Sequence, residues 1–463
     1  MLAAAPRTAP NSSAPVRPGI LERALIVGLI FINMFGTPAS WYTVNTGAAS
    51  GPEQDFLLSY GSLAAILALS LTLVGSGDAL VRILSAEPLM TFFFFVIGLS
   101  PVWSSQFGQS VNAVVNLYAM IGLAVILLVR YRPTEMFQLF AIAFAIGILM
   151  DMFWVLFMGS LGRNSAGAWD GLGTQKNALG NHGLLAVMVF IIAARTFRRL
   201  RVPFYLLTGV ALILLVGSQS KTSLGAGLIT AASFVIFLIY RARKTLVGAV
   251  TIALIAGAGV TIALVTANLE AATGAFGKDP SFTGRTDLWS EVIRAIQREP
   301  WLGFGFNGYF GGPLSESHLI TAFPRFDWGP NHAHNALLEA ALHVGIPMAL
   351  VYLAFNLRGI VRATDHVRWV RGPIGLFPLV YLTMMGITSI TESGIFNQRF
   401  GVTLFVLAIV MAKIGVDEAK ATGQLRLDDE RRMRRSPGEP LDVTLPPGAD
   451  RETELDLPLK VTS

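Results

Sequence analysis

VNAVVNLYAMIGLAVILLVRYR, residues 111–132, is an uncharged run closed by two arginines, Arg130 and Arg132. As a helix, residues 111–129 would rise roughly 28 Å at 1.5 Å per residue, about the thickness of a bilayer's hydrocarbon. The arginines that follow mark the end that stays in the cytoplasm. Working outward, about twelve apolar segments of spanning length appear, near 20–40, 57–75, 88–104, 111–129, 135–158, 179–195, 203–218, 222–240, 246–267, 333–357, 374–391 and 400–415.

The composition agrees. The chain is 53% hydrophobic and 14% charged, with a mean hydropathy of +0.58, whereas soluble domains carry roughly 25% charged residues. The expected fold is all-α: a polytopic membrane protein of about twelve transmembrane helices. One large periplasmic loop with short helices, about 268–332, lies between helices 9 and 10. There is no cysteine, which excludes disulfides and thiolate metal sites. The net charge of +6 does not point to nucleic acid, because most Lys and Arg sit in short loops.

Those loops orient the chain. One set holds Arg23, Arg82, Arg130 and Arg132, Arg195 to Arg201, Arg241 to Lys244, and Arg358 to Arg371. The alternate short loops 41–56 and 104–110 hold no Lys or Arg. Both termini are therefore expected in the cytoplasm of a bacterial inner-membrane protein, with the long loop outside. Residues 1–19, rich in Ala, Pro and Ser, and the charged stretch 416–463 are expected to be disordered cytoplasmic ends around a membrane domain at 20–415. No signal peptide is recognised.

Chemistry gathers in the outer loop. WGPNHAHNALLEAALHVG, residues 328–345, brings His332, His334 and Asn335 to the start of an apolar helix. Ionisable groups at a membrane boundary are costly and mark function. Two residues apart on a helix do not share a face, so His332 and His334 read as a poor metal pair, one facing a cleft and the other water. The stretch 281–300 reads as an amphipathic helix from the recurrence of Leu288, Val292 and Ile296, with Thr283 as N-cap and Pro300 as stop. Arg285 is a cation at that helix's N-terminus, where only a bound anion makes electrostatic sense. WLGFGFNGYFGG, 301–312, alternates glycine and aromatics and suits either sugar stacking or packing onto the membrane surface.

Three more polar islands are expected to face outward. They are 171–183 with Lys176, Asn177 and His182, 217–223 with Lys221, and 391–399 with Glu392 and Arg399. Each alone suits a snorkelling or capping group. Basic residues on the outer side oppose the usual bias, and a bound diphosphate would account for Lys176, Lys221 and Arg285 together.

In order, the motifs are KNxLG at 176–180, SxSKT at 218–222, TGRTDLW at 283–289, PWLGFG at 300–305, HxHNxLLE at 332–339 and TES at 391–393. With the single large outer loop, this set resembles the bacterial O-antigen ligase and O-antigen or exopolysaccharide polymerase family. That family usually has arginine where this chain has Lys221, which loses the bidentate fork.

The resemblance implies a membrane glycosyltransferase needing neither metal nor other cofactor. It would move glycan units from a polyprenyl (undecaprenyl) diphosphate donor onto an acceptor glycan, either a lipid-linked repeat unit or lipid A–core, at the periplasmic face. His334 would be the base, with Arg285 and Glu392 as the other catalytic groups. The diphosphate would fall to Lys221, Lys176, Arg285, Arg399 and Thr283, and the acceptor sugar to Asn335, His332 and Asn177. Membrane lipids, a flippase and a chain-length regulator are the expected partners. A transporter or flippase for lipid-linked glycans is the rival reading; the absence of an internal repeat counts against it.

Overall fold

The computed structural model describes residues 18–36, 52–164, 167–172, 175–240, 253, 257, 280–310, 331–396, 399–421 and 423. The described residues are helical, with no strand beyond an isolated bridge between Arg163 and Trp169. In chain order the α-helices are α1 (Ile20–Phe35), α2 (Pro52–Ser70), α3 (Gly77–Ala86), α4 (Pro88–Leu99), α5 (Phe107–Arg130), α6 (Pro133–Phe157), α7 (Lys176–Thr196), α8 (Arg201–Gly217) and α9 (Lys221–Tyr240). After them come α10 (Pro280–Arg298), α11 (Ala336–Trp369), α12 (Phe377–Thr388) and α13 (Arg399–Ala421).

Six helices among the described residues are long and apolar enough to cross a membrane: Phe107–Arg130, Pro133–Phe157, Lys176–Thr196, Arg198–Gly217, Ala336–Trp369 and Phe400–Ala421. The segment expected at 57–75 is not straight. Gly61–Leu73 and Gly77–Ala86 meet at a bend of 116° and form at most one further span. Gly75, at φ +87°, sits in that break. The apolar runs near 88–104 and 374–391 fold as shorter helices, Pro88–Trp103 and Ile374–Thr388. Residues 246–252, and most of the stretch expected as the ninth span, lie outside the described residues.

The core is aromatic. Phe93 packs against Tyr352, Phe355 and Phe396, while Phe137, Phe140, Phe144, Phe377 and Phe400 form a second buried set. These rings join α4, α6, α11, α12 and α13, and aliphatic residues of α5 such as Leu123 and Leu127 complete the same cluster. The last span is enclosed almost throughout, whereas little of Arg198–Gly217 is buried among the described residues. Helix α13 runs to Ala421, past the end expected at 415, and its Glu418 pairs with Arg82 at 2.8 Å.

One end of the bundle is tied by ion pairs. Arg130 meets Glu22 at 3.0 Å and Arg23 meets Glu135 at 2.6 Å. The fully buried Glu87 is held by Arg362, with Arg358 at 3.5 Å. Glu135 also caps its own helix, accepting from the backbone N–H of Arg132 at 3.1 Å, ahead of the proline at the first helical position. Arg23, Arg82, Arg130, Arg358 and Arg362, all from the arginine-bearing loops, make their ion pairs at this end. The histidine loop is at the other: Gln109 lines a cavity with His332, and Gln109 stands roughly 32 Å along α5 from Arg130 at 1.5 Å per residue.

A kink shapes that other end. Within α11, Val344 and Gly345 leave helical geometry, with Gly345 at φ +81°. The break frees carbonyls that a straight helix would consume. Phe304 N–H donates to Leu342 O (2.7 Å), Gly305 N–H to His343 O (3.0 Å), and Ile346 N–H to Pro300 O (2.8 Å). The 300–310 stretch is thereby fastened onto α11. Gly303 and Gly305, at φ +63° and +83°, permit this backbone-to-backbone approach. Phe304, Phe306 and Tyr309 are buried by it, while Trp301 stays exposed. These three rings pack inside the protein, not onto a membrane surface as one of the two readings expects.

Candidate functional site

Helix α10 forms as its periodicity predicts, with Leu288, Val292 and Ile296 buried along one face. It begins at Pro280, three residues before the expected cap. Thr283 is therefore inside the helix, and Arg285 lies in its second turn instead of at its N-terminus. The side chains of both are outside the described residues, as is that of Arg399, whose backbone opens α13. Trp289 ties this helix to the histidine loop, its indole N–H donating to Ala333 O at 2.9 Å.

The expectation that His332 and His334 face different ways is overturned. They precede α11 in irregular backbone, and His334 takes φ +50°. That left-handed turn, costly by roughly 1–2 kcal/mol for a residue with a Cβ, brings the two rings to 3.8 Å between centroids. The strain is offset by Asn335 next door. Its side-chain oxygen accepts from the N–H groups of Leu337 and Leu338 at 3.0 Å, and its amide donates to Ile390 O at 3.0 Å. Asn335 is thus the N-cap of α11, which fixes the loop.

The two histidines have different partners. His334 Nδ1 lies 3.1 Å from Glu392 Oε2. An ionised carboxylate only accepts, so the ring proton belongs on Nδ1 and the lone pair on Nε2. His332 Nδ1 instead accepts the backbone N–H of His334 at 3.2 Å, which puts its proton on Nε2. Ser393 Oγ lies 3.1 Å from His332 Nδ1 and 2.8 Å from Glu339 Oε2. Glu339, buried in the first turn of α11, accepts the N–H of Ala333 at 2.6 Å and faces His343 Nε2 at 3.5 Å.

Glu392 connects this group to the other motifs. Asn177 Nδ2 donates to Glu392 Oε1 at 3.3 Å, and Ser220 Oγ donates to Asn177 Oδ1 at 3.1 Å. Ser220 also caps α9, accepting the N–H of Ser223 at 3.3 Å. A continuous hydrogen-bonded chain therefore runs Ser220–Asn177–Glu392–His334. Gly180 allows it, because a Cβ there would stand 2.7 Å from Ser223 Oγ and push α7 from α9. Lys176 and Lys221 are the first residues of α7 and α9 and are exposed. Asp170 takes a hydrogen bond from the Lys176 backbone. Burial pushes its carboxyl above the usual range, and the Asn164 hydrogen bond and the Lys176 charge oppose this.

His182 departs from expectation. It is inside α7, buried, with Nδ1 3.1 Å from Asp151 Oδ2. Asp151 Oδ1 accepts the N–H of Leu172 at 3.0 Å, so this pair pins the 167–172 turn to α6. Ser220 and Ser393 lie inside the SxSKT and TES motifs, but as uncharged residues they carried no separate signal, whereas Glu339, following His334 and Asn335 on the apolar helix, did add weight to that stretch. Among the described residues, His332, His334 and Glu392 are a group able to hold a metal ion, with one ligand atom each within 4.8 Å of one another. Three ligands suit a catalytic zinc.

Comparison with known proteins gives the arrangement a context. Residues 206–353 match the family described as O-antigen ligase, a stretch that holds the SxSKT, TGRTDLW, PWLGFG and HxHNxLLE motifs. The chain is also 32% identical over 112 residues to the exopolysaccharide production protein ExoQ of Rhizobium meliloti (strain 1021). That match covers 24% of this chain and spans only 23% of the relative. The multi-pass membrane protein described here is thus similar, over residues 206–353, to the O-antigen ligases.

Proposed function

We propose that the protein is a membrane glycosyltransferase of the ligase or polymerase kind, acting on the outer side of a bacterial inner membrane with both termini in the cytoplasm. Its donor is a glycan on polyprenyl diphosphate and its acceptor a sugar hydroxyl of a lipid-linked repeat unit or of lipid A–core. The single observation that carries this is the Ser220–Asn177–Glu392–His334 chain, which joins four separate motifs at one point. A carboxylate on Nδ1 leaves Nε2 of His334 to take a proton, the arrangement of a positioned general base.

In the reaction the acceptor oxygen attacks the anomeric carbon as its proton passes to His334 Nε2. The bond from that carbon to the diphosphate oxygen breaks, and the electron pair leaves with the diphosphate. Arg285, Lys221 and Lys176, with Arg399, neutralise the departing charge without a metal, and the Thr283 hydroxyl donates a hydrogen bond to it. His332 and Asn177 border the acceptor, and Asn335 holds the loop that carries them.

The test is transfer from a lipid-diphosphate glycan in proteoliposomes containing chelator. Wild-type protein and His332→Ala should retain activity, reduced in the latter, and His334→Ala should lose it while still binding donor. Equal, wild-type activity in both variants would remove the base. Activity that vanishes with chelator and returns with a divalent ion would replace the metal-free mechanism by one through His332, His334 and Glu392.

A further inference from the structure

Beside the histidines lies a cavity of about 250 Å³. One wall is a single face of α5, Gln109, Asn112 and Asn116, spaced three and four apart as a helix face requires. Asn307 and Asn331 supply amides from the outer loop, and His332 lines the same space. Polar side chains in a spanning helix are costly where they meet lipid; here Asn112 and Asn116 are half-buried against the cavity.

The chemistry of that lining is selective. Each carboxamide offers donors and acceptors together, which matches hydroxyl groups that also donate and accept. Phe306 and Phe396 add apolar faces of the kind the C–H side of a pyranose needs. Among the described lining residues there is no lysine or arginine, and the one acid is Glu339, whose carboxyl group disfavours a negatively charged sugar. The volume is below the roughly 300–1,000 Å³ of sites for drug-sized ligands, which suits one ring and not an oligosaccharide.

We propose that this cavity is a subsite for one uncharged sugar ring, with a ring hydroxyl directed toward the His332–His334 pair. It deepens the transferase function and rests on it for the identity of the ring, which belongs to the acceptor or the donor glycan.

The experiment is saturation-transfer NMR on the full-length protein in nanodiscs, with methyl β-glucopyranoside, methyl β-galactopyranoside and methyl β-glucuronide as probes. The neutral glycosides should receive saturation and the uronide much less. Asn112→Leu should weaken the neutral signal, with a loss of roughly tenfold in affinity for one amide contact. Gln109→Ala, at an exposed position that folding tolerates, should weaken it less. His332→Ala, at a residue that lines the cavity, should also weaken it. No transfer to either neutral glycoside, equal transfer to the uronide, or signals unaltered in both Asn112→Leu and Gln109→Ala would overturn the subsite.

Kinetics with lipid-linked substrates then separate the sources. A rise in KM confined to the acceptor assigns the ring there, and a rise confined to the donor assigns it to the donor glycan. Glycoside binding by a wild-type protein that transfers no glycan would count against the transferase alone and leave the subsite standing.

Discussion

Replacing Glu392 by glutamine keeps the shape of the site and inverts its proton logic. Glu392 accepts from Asn177 at 3.3 Å through one oxygen and from His334 Nδ1 at 3.1 Å through the other. A glutamine whose oxygen stays with Asn177 turns its NH2 toward Nδ1. His334 must then move its proton to Nε2, where the base is needed, or lose the contact. General-base action contributes roughly 10²–10⁴ in rate, so Glu392→Gln should lower kcat by about that factor, or roughly 2.7–5.4 kcal/mol of barrier. The cost to stability is smaller. The two side chains are 15% and 19% exposed, and one charged hydrogen bond exchanged for a neutral one is worth about 1–2 kcal/mol.

Single-turnover transfer with saturating lipid-linked donor measures this, alongside thermal unfolding in detergent. His334→Ala should fall to a similar rate, and the double variant should fall no further, because groups acting as a unit do not add. A Glu392→Gln enzyme with more than a third of wild-type kcat would refute the reasoning. So would a double variant that loses the product of both single effects.

Arg285→Ala should abolish transfer while leaving the protein folded, with Arg285→Lys retaining part of it; near-normal product from the alanine variant in the same liposome assay would remove Arg285 from the site. Gly345→Val should destabilise by about 2–5 kcal/mol, from the left-handed backbone and from crowding against the Trp301 carbonyl, read as a lowered urea midpoint; an unchanged midpoint would show that the kink tolerates a side chain. Single cysteines introduced at positions 278 and 422 of this cysteine-free chain test orientation with an impermeant thiol reagent. Labelling at 278 in intact spheroplasts, and at 422 only after permeabilisation, is expected; the reverse would turn the protein over in the membrane.

Long helices and the amphipathic face of α10 were legible because burial repeats with the helical period: Leu288, Val292 and Ile296 are spaced as packing needs them. The meeting of KNxLG, HxHN and TES was legible as chemistry that had to converge, and Asn177, Glu392 and His334 do converge. Backbone geometry was not legible. The rule that residues two apart diverge holds only on a helix, and the left-handed turn at His334 is set by the Asn335 cap and its tertiary partner Ile390. His182 looked like loop polarity because its partner, Asp151, is 31 residues away. The bend near Gly75 interrupts an apolar run that hydropathy reads as continuous. The amide stripe of α5 did carry a signal in the sequence, three carboxamides at helical spacing in an otherwise apolar span.

The hydrogen bond between Asn177 and Glu392 joins residues 215 apart in the chain. It gives the protein a late-assembling site. A ribosome delivers α7 long before Glu392 exists, and during that interval Asn177 has only Ser220 as a neighbour from this chain of contacts. Competence for the proposed transfer would then wait on the segment between α12 and α13, which carries Glu392 to Asn177. Contacts so distant in sequence form slowly. A nascent or truncated chain that stops before residue 392 would hold the histidine ring without the carboxylate that aims it, so incomplete molecules in the membrane would be silent instead of indiscriminately reactive.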